Sequence, residues 1–420
     1  MDVETLSALP NTPQACFEFA NGRFNQQLFD GLTEAAYRRV LETYPEWPDA
    51  LNYLGYVLRK QGRIQEALAV FNDALTLEPE HIQARANRSL VLLHLGEYRV
   101  GWREYEYRLR HQPELLPRLP WLYWRGESIE GKRILLLGEQ GLGDQIQFMR
   151  YAPLLADMGA EVELLIAPQL VRLAHGLRGV SKVHAEMKTR PDDYQFQCSL
   201  LSLPAVLGTT LESVPARVPY LSVPKKACVR TEKILAAIAG EKLRVGLVWA
   251  GSRHQPDDIH ARMFDRRRSL ALQQLAPLSK IKGVCLFSLQ SGEPAAELKQ
   301  LEAQDWPGWG APVHDLTADI DDFADTAAWM QRLNLLISCD TSCAHLAGAL
   351  GRPFWVLNRH DNCWRWLDGR DDSPWYPVAR LFRQPKPGDW KSVVKEVSAC
   401  LSRLRRKSKP KGAAKSAMAK

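Results

Sequence analysis

The stretch "RILLLGEQGLGDQIQFMRYAPLL", residues 133–155, predicts a strand, a glycine turn and an amphipathic helix. Its glycines follow the order G-x-x-G-x-G, whereas a dinucleotide-binding turn has G-x-G-x-x-G, and the Lys-Ser/Thr pair of a phosphate loop is missing. The turn instead delivers Asp144 to the start of a helix, where an aspartate either caps the helix or serves a site. Gln140, Gly141 and Gly143 complete this loop.

Strands and helices alternate on both sides of this turn. We expect parallel strands near 133–138, 161–166, 180–184 and 194–198, and a second series near 243–251, 283–290, 334–340 and 353–358, with helices near 229–239, 269–279, 293–303, 321–332 and 342–350. The proline-rich stretch 213–226 separates the two series and marks a crossing between domains. Two α/β units joined in this way leave a cleft at the carboxyl ends of both sheets, which is a usual place for a ligand.

A 34-residue spacing dominates the N-terminal third, where Pro45, Pro79 and Pro113 recur at that interval. The segment "DALNYLGYVLRKQGRIQEALAVFNDALTLEP", 49–79, has the small and apolar positions of two packed antiparallel helices. Over 48–113 the pattern resembles the tetratricopeptide repeat family. That resemblance implies a grooved surface for peptides or protein partners, although so short an array could also be only a capping or dimerising element.

The composition is that of a globular protein, with 45% hydrophobic and 25% charged residues among 420. No apolar run reaches the roughly 18 residues of a membrane span, and "MDVETLSALPNTPQ" lacks the basic and apolar regions of a signal peptide. We therefore expect a cytoplasmic protein. Its eight cysteines show no disulfide framework, and "SCDTSCAH" with Cys363 fits no common zinc module, so no metal is expected.

The net charge of +7 is a property of the C-terminal tail. Residues 403–420 carry eight basic side chains and no acidic one, so the rest of the chain stands at −1. We expect a disordered, solvated tail and no specific nucleic-acid partner. Peripheral contact of the tail with nucleic acid or an anionic membrane surface is the alternative.

A second motif, "ISCDTSCAHLAGALGRPFWVLN", spans 337–358 and predicts a strand, a polar turn and a helix of small residues. Asp340, Thr341 and Ser342 form the turn, and His345 lies in the first turn of the helix. Hydroxyls and free amides at a helix N-terminus suit a diphosphate group. The alternative is an ordinary capped helix with one buried histidine.

A third motif, "GLVWAGSRHQPDDIHARMFDRRRSL", spans 246–270. The pattern predicts a strand that ends at Gly251 and a long polar loop that leads to Arg266, Arg267 and Arg268. Guanidinium groups bind pyrophosphate through paired hydrogen bonds, but a solvated run of charge would look the same. The aromatic segment 362–384 either stacks a base or sugar or simply packs.

Together these motifs resemble the family 9 glycosyltransferases, the bacterial ADP-heptose lipopolysaccharide heptosyltransferases, over roughly 130–400. The combination resembles bacterial proteins that fuse tetratricopeptide repeats to such a domain. The resemblance implies a repeat domain at 1–115 and a GT-B pair of Rossmann-like α/β domains. The acceptor-side domain would be 116–225 and the nucleotide-sugar domain 226–402, before the tail at 403–420.

The family also implies an inverting, metal-independent transfer without a cofactor other than the nucleotide-diphosphate sugar. Asp144 matches the family's catalytic base, beside the acceptor-side loop residues Gln140, Gly141 and Gly143. Asp340, Thr341, Ser342 and His345 match the donor-site motif, and we add Gly251 and Arg266, Arg267 and Arg268 to the donor side. The loop after Gly251 is longer and more polar than is typical, and no lysine for the diphosphate can be placed.

Three hypotheses follow for the function of the whole chain. Because repeats and transferase domain together are similar to the O-linked N-acetylglucosamine transferases, we expect a protein acceptor docked by the repeats. The first alternative is a lipopolysaccharide or other glycan acceptor. The second is a repeat-based adaptor whose transferase domain is inactive. Fold and motifs fix neither the sugar nor the nucleotide.

Overall fold

The computed structural model describes residues 9–186, 193–223, 228–251 and 259–407. Its N-terminal part is helical: α1 Pro13–Asn25, α2 Gly31–Thr43, α3 Pro48–Lys60, α4 Ile64–Leu77, α5 Ile82–Leu95, α6 Tyr98–Tyr105 and α7 Tyr107–His111. Helices α3 and α4 pack closely because Gly55 has no side chain: a Cβ there would lie 2.8 Å from Cε1 of the buried Phe71. This is the small-residue contact that the repeat pattern requires.

The first α/β unit has a parallel sheet of five strands in the order β1-β5-β2-β3-β4. Its elements are β1 Leu122–Tyr123, β2 Arg133–Leu137, α8 Leu142–Phe148, α9 Ala152–Asp157, β3 Glu161–Leu165, α10 Pro168–Ala174, β4 Val180–His184, β5 Phe196–Ser199 and α11 Leu203–Val206. The central strand β2 leads directly into the glycine turn and α8.

The second α/β unit has a parallel sheet of six strands in the order β11-β10-β9-β6-β7-β8. Its elements are α12 Cys228–Ala239, β6 Leu243–Val248, α13 Ile259–Arg268, α14 Ala276–Ser279, β7 Val284–Ser288, α15 Ala296–Ala303, β8 Val313–Asp315, α16 Phe323–Met330, β9 Leu335–Cys339, α17 Ser342–Ala349, β10 Phe354–Asn358, β11 Ala379–Arg383 and α18 Trp390–Lys407. Strand β9 leads into the polar turn before α17.

One hydrophobic core joins the last repeat helix to the first α/β unit and to the aromatic segment. Trp102 of α6 is 1% exposed and packs edge-to-face on Phe148 and Trp364. Trp375, which is fully buried, donates a hydrogen bond from Nε1 to the Tyr98 hydroxyl at 2.8 Å. The aromatic segment therefore packs as a structural element between the repeats and both α/β units.

Two expectations about the second unit are wrong. The arginines Arg266 to Arg268 do not end a loop but form the last turn of helix α13, where Asp265 pairs with Arg268 one turn away. Residues 252–258 of the expected loop lie outside the described part of the chain. The helix expected at 269–279 is divided, because the backbone at Ala271 is extended and Pro277 starts the short α14.

The C-terminal boundary also differs from the expectation of a tail from residue 403. Helix α18 continues to Lys407, because Leu401 is buried and Leu404 packs against the core of the second unit. The remaining tail, 408–420, lies outside the described residues. No helix within the described ranges combines the length and apolarity that crossing a membrane requires.

Candidate active site

Asp144 lies at the third position of α8, where the glycine turn meets the second α/β unit. Its Oδ2 accepts a hydrogen bond from the Gly141 N–H at 3.0 Å, which caps the helix. Its Oδ1 forms an ion pair with Arg365, which follows β10 in the other unit. Arg365 also donates from Nε to Gln147 Oε1 at 2.9 Å and stacks on Trp364. The carboxylate is therefore fixed from both sides of the cleft.

The environment of Asp144 acts on its pKa in two directions. Burial raises the pKa of the carboxyl, while the Arg365 guanidinium and the Gly141 N–H oppose the shift. The side chain keeps 18% of its surface exposed. A carboxylate with a raised pKa that still reaches solvent has the properties of a general base.

The polar turn expected to bind the donor, residues 340–345 and called the donor turn below, lies directly opposite the glycine turn. A Cβ on Gly143 would lie 2.8 Å from His345 Cδ2 and 3.4 Å from Ser342 Cα, so only glycine permits this approach of α8 to α17. Asp340, Thr341 and His345 are buried, whereas Ser342 is half-buried. The two motifs singled out in the sequence thus form the facing walls of one cleft.

The donor turn presents hydroxyl and ring groups next to a helix N-terminus. Thr341 is the N-cap residue of α17, but its hydroxyl does not cap the helix and instead lies 3.0 Å from Ser338 Oγ. The His345 Nδ1 lies 3.0 Å from the Tyr376 hydroxyl, and the ring stacks on Trp366. Burial lowers the pKa of His345 to about 3, so the ring is neutral near pH 7 and can act as a hydrogen-bond donor but not as a cation.

The three arginines expected to bind the diphosphate separate in space. Arg268 donates from Nη1 to the Asp340 carbonyl at 2.9 Å and so joins the donor turn. Arg267 lies away from that turn, 3.5 Å from Asp361 Oδ2 and over the ring of Phe29 in the repeats. Arg266 is exposed. Among the contacts of the described residues, Arg268 is the one of the three arginines that joins the donor turn.

Gly251, expected on the donor side, does not end the strand as predicted, because β6 already ends at Val248. Its N–H donates to Ser269 Oγ at 3.1 Å, and any Cβ would collide with the Asp265 carboxylate. The neighbouring Trp249 and Ala250 N–H groups both donate to Gln290 Oε1, at 3.0 and 2.9 Å. Gln290, which follows β7, therefore fixes the loop start; its role in the site was not predicted.

Repeat helix α7 supports the glycine turn from the opposite direction. Arg108 donates from Nε and Nη2 to both oxygens of Glu139, at 2.8 and 2.7 Å, and both side chains are buried. Gln140 donates from Nε2 to the Tyr105 hydroxyl at 2.9 Å. These contacts were not predicted, because nothing in the sequence pairs the third repeat with a loop 31 residues away.

A large cavity connects the repeats to Asp144, with a volume of about 1070 Å³. Its walls come from α3 and α5, from the glycine turn and from the segment after β10. Asp144, Gln140 and Arg365 line its inner end. Among the described residues, its lining includes neither the donor turn nor Arg268. The cavity therefore ends at Asp144, in the same glycine turn that α17 approaches at Gly143.

Within the described ranges, no three His, Cys, Asp or Glu side chains converge in an arrangement that could hold a metal ion. Cys339 and Cys343, which the zinc alternative would need, are buried and half-buried thiols, and burial raises the pKa of both to about 12. Neither thiol is thus predisposed to act as a thiolate ligand.

Comparison with known proteins finds similarities for both the helical part and the α/β part of the chain. Residues 34–82 and 58–99 match the tetratricopeptide repeat family, so the N-terminal region contains these repeats. The α/β part is similar to the crystal structure of a family 9 glycosyl transferase from Veillonella parvula, with 12% identity and a TM-score of 0.51 over 68% of this chain and 100% of that one. The predicted fold, helical repeats followed by a GT-B-type α/β pair, is confirmed.

Two further proteins are similar to this chain, one in fold and one in sequence. ADP-heptose lipopolysaccharide heptosyltransferase II from E. coli is 11% identical, with a TM-score of 0.44 over 66% of this chain and 100% of that one. Protein FlbA of Caulobacter vibrioides is 27% identical over 389 residues, which cover 86% of this chain. The chain spans 62% of the length of FlbA.

Proposed function

We propose that this protein is an inverting, metal-independent glycosyltransferase that moves a sugar from a nucleotide-diphosphate sugar to a protein acceptor docked by the repeats. The observation that carries the proposal is the position of Asp144. It lies between the donor turn of the second α/β unit and the cavity that opens toward the repeats. The family 9 fold supports the same assignment.

In the proposed reaction, an acceptor hydroxyl enters from the cavity and meets the anomeric carbon of the donor sugar. Asp144 takes the hydroxyl proton while the acceptor oxygen forms its bond to that carbon. The bond from the carbon to the diphosphate oxygen breaks, and its electron pair leaves with the nucleoside diphosphate. Attack from the side opposite the leaving group inverts the anomeric centre.

The residues of the donor turn would stabilise the departing diphosphate. Negative charge grows on its oxygens, and the N-terminus of α17, the Thr341 hydroxyl and the Arg268 guanidinium are the groups available to meet it. Neutral His345 would donate a hydrogen bond to the same group. Arg266 and Arg267 have no part in this step, because neither contacts the turn.

We further propose that the protein works in the cytoplasm and needs no cofactor other than its donor. The seven cysteines whose side chains the structure describes are all free thiols. Thiols that remain unpaired are typical of a reducing compartment.

The first test is a panel of nucleotide sugars, assayed with the full chain for binding and slow hydrolysis. We then expect Asp144→Asn to bind the selected donor with unchanged affinity and to lower the transfer rate at least ~100-fold, because it cannot accept the proton. Asp157→Asn, which changes an exposed carboxylate on α9, is the matched control. Transfer by Asp144→Asn at near the original rate would show that another group is the base.

A further inference from the structure

A cluster of four cations lies where the repeats meet the second α/β unit. Arg59 and Lys60 end helix α3, Arg359 follows β10, and Arg267 lies on α13. Burial and the positive charges of the three arginines lower the pKa of Lys60 well below its ordinary range. Shared contacts place the four groups in one small region. Arg59 and Lys60 both lie over the ring of Tyr56, and Lys60 and Arg267 both lie over the ring of Phe29. Arg267 and Arg359 share the Asp361 carboxylate.

The cluster has little negative charge to balance it. Asp361 lies 3.3 Å from Arg359 and 3.5 Å from Arg267, and it serves both. No acidic side chain within the described ranges pairs with Arg59 or Lys60, which lie over the ring of Tyr56 instead. Four cations and one carboxylate give the cluster a net positive charge that suits an anionic partner.

The same imbalance extends along the cavity. Its described lining contains six arginine or lysine side chains and three aspartates. Arg108 is paired with Glu139 and Arg365 with Asp144, so four cations remain for two aspartates. Buried polar groups without partners also face it: His94, 6% exposed, has an unpaired Nε2, and Asn52, fully buried, has an unpaired Nδ2. An unpaired buried polar group is costly, and a bound chain with oxygen acceptors would satisfy the Asn52 amide.

The cavity is large enough to admit a segment of a polymer. Its volume of about 1070 Å³ lies just above the ~300–1,000 Å³ of most small-ligand pockets. It continues from Lys60 on α3 to Asp144, and its described lining excludes the donor turn. An anionic group bound in this cavity would therefore belong to the acceptor and not to the donor diphosphate.

We propose that the repeats bind an acidic peptide segment of the acceptor, whose carboxylates pair with Arg59, Lys60 and Arg359 while a neighbouring hydroxyl reaches Asp144. The docking of an acidic segment stands on the cluster itself, and only the delivery of its hydroxyl rests on the proposed function. Both the repeats and the second α/β unit contribute cations to this site. We therefore expect the preference for acidic peptides to depend on the contact between the two.

The test compares three fluorescein-labelled peptides that differ only beside a single threonine, where they carry glutamates, glutamines or lysines. Fluorescence anisotropy with the full chain, without any nucleotide sugar, measures binding at low and high salt. We expect the glutamate peptide to bind at least ~10-fold tighter than the glutamine peptide at low salt, and the difference to shrink as salt screens the charges.

Lys60→Glu should abolish this preference or shift it to the lysine peptide. Lys60→Met keeps the apolar stem over Tyr56 and should weaken the preference; it is the variant to use if Lys60→Glu does not fold. Arg39→Glu, an equal charge reversal at a half-exposed site outside the cavity, should leave the preference unchanged. Equal affinity for the glutamate and glutamine peptides overturns the proposal. A preference for the glutamate peptide that survives in both Lys60 variants also overturns the proposal. Binding of dextran sulfate without binding of any peptide overturns it as well.

The outcome separates this proposal from the proposed function. Selective binding of the glutamate peptide without sugar transfer to any acceptor would contradict the enzyme while leaving the docking site in place. Transfer to neutral and acidic peptides with the same KM would contradict the docking site while leaving the enzyme in place.

Discussion

Asp144 uses its two carboxylate oxygens for different tasks. The Oδ2 atom caps α8 through the Gly141 N–H, and the Oδ1 atom meets Arg365 across the cleft. The two interpretations of this residue, helix cap and functional carboxylate, are therefore compatible. Because one oxygen is held by backbone of the same turn, the other is directed at a fixed position, which a proton acceptor requires.

Replacing Arg365 should change the pH dependence of transfer. The guanidinium lowers the pKa of Asp144, against the effect of burial, so Arg365→Met should raise that pKa. Because the base must be ionised to act, the acidic limb of the kcat/KM profile should move to higher pH.

Arg365→Lys, which keeps the positive charge, is the matched control and should move the limb less. A profile that is identical in the wild type and in Arg365→Met would mean that Asp144 does not control the acidic limb.

His345 should make folding sensitive to mild acid. Burial lowers its pKa to about 3, against an ordinary value of 6.5, so the unfolded chain binds a proton that the folded chain refuses. Above about pH 6.5 the ring is neutral in both the folded and the unfolded chain and costs no stability. As the pH drops from there toward 3, the free energy of unfolding falls by up to about 1.4 kcal/mol per pH unit.

Urea unfolding at a series of pH values measures this slope. His345→Gln should flatten it, whereas His175→Gln, at an exposed position, should not. If the His345 ring titrates between pH 6 and 7 in NMR spectra of the folded protein, the assignment of a neutral ring is incorrect.

At the level of elements, the glycine turn depends on a helix of the repeats. Glu139 lies in the turn next to Gln140 and is 2% exposed, and its charge is balanced by Arg108 of α7. The Ser199 hydroxyl at the end of β5 donates to the same carboxylate. A repeat helix and a sheet strand thus hold the turn that carries Asp144.

Breaking this buried pair should be costly. We expect Arg108→Met to lower the free energy of unfolding by about 3–5 kcal/mol, because it leaves the Glu139 carboxylate buried without a cation. Calorimetry or urea unfolding measures the loss. The double variant Arg108→Met with Glu139→Leu should recover part of it, since no buried charge remains, and a double variant that is less stable than the single one would contradict this account.

The sequence predicted the elements that carry their own periodicity. Strands β2, β3, β9 and β10 lie within a residue or two of their expected bounds. Strands β2, β9 and β10 are mostly apolar runs between turn residues, and β3 alternates glutamate with apolar residues at its start. Short edge strands such as β1 and β8 were missed, since two or three residues leave no pattern. The turns with Asp144 and Thr341 could be predicted from local chemistry, whereas the partners Arg365, Tyr376 and Arg108 depend on tertiary contacts.

Across the whole molecule, the repeats and the transferase fold are not separate bodies. The Tyr98, Trp102 and Tyr105 side chains of α6 belong to the same hydrophobic core as Phe148 and Trp364. The expected boundary at residue 115 follows the sequence pattern, but the core crosses it. The fixed contact also holds the cavity wall of α3 and α5 in place above Asp144.

Removing the repeats should therefore destabilise the α/β part and not only remove a docking surface. A chain that begins at residue 113 loses Trp102, which is 1% exposed, and the cation that balances Glu139. Loss of one large buried aromatic side chain alone costs about 3–5 kcal/mol, which is a large part of the stability of a typical domain. We expect this truncated chain to aggregate or to unfold at a much lower temperature than the full chain.

A chain that begins at residue 29 is the matched control, because the two hydrophobic clusters that hold Ala20 and Cys16 of α1 contain, among the described residues, side chains of the repeats alone. Scanning calorimetry of the three chains should show similar melting of the α/β part in the full chain and in the control, and early melting in the chain from residue 113. If the chain from residue 113 melts like the full chain, the shared core contributes no stability. Loss of transfer on removal of the repeats would then report acceptor docking alone.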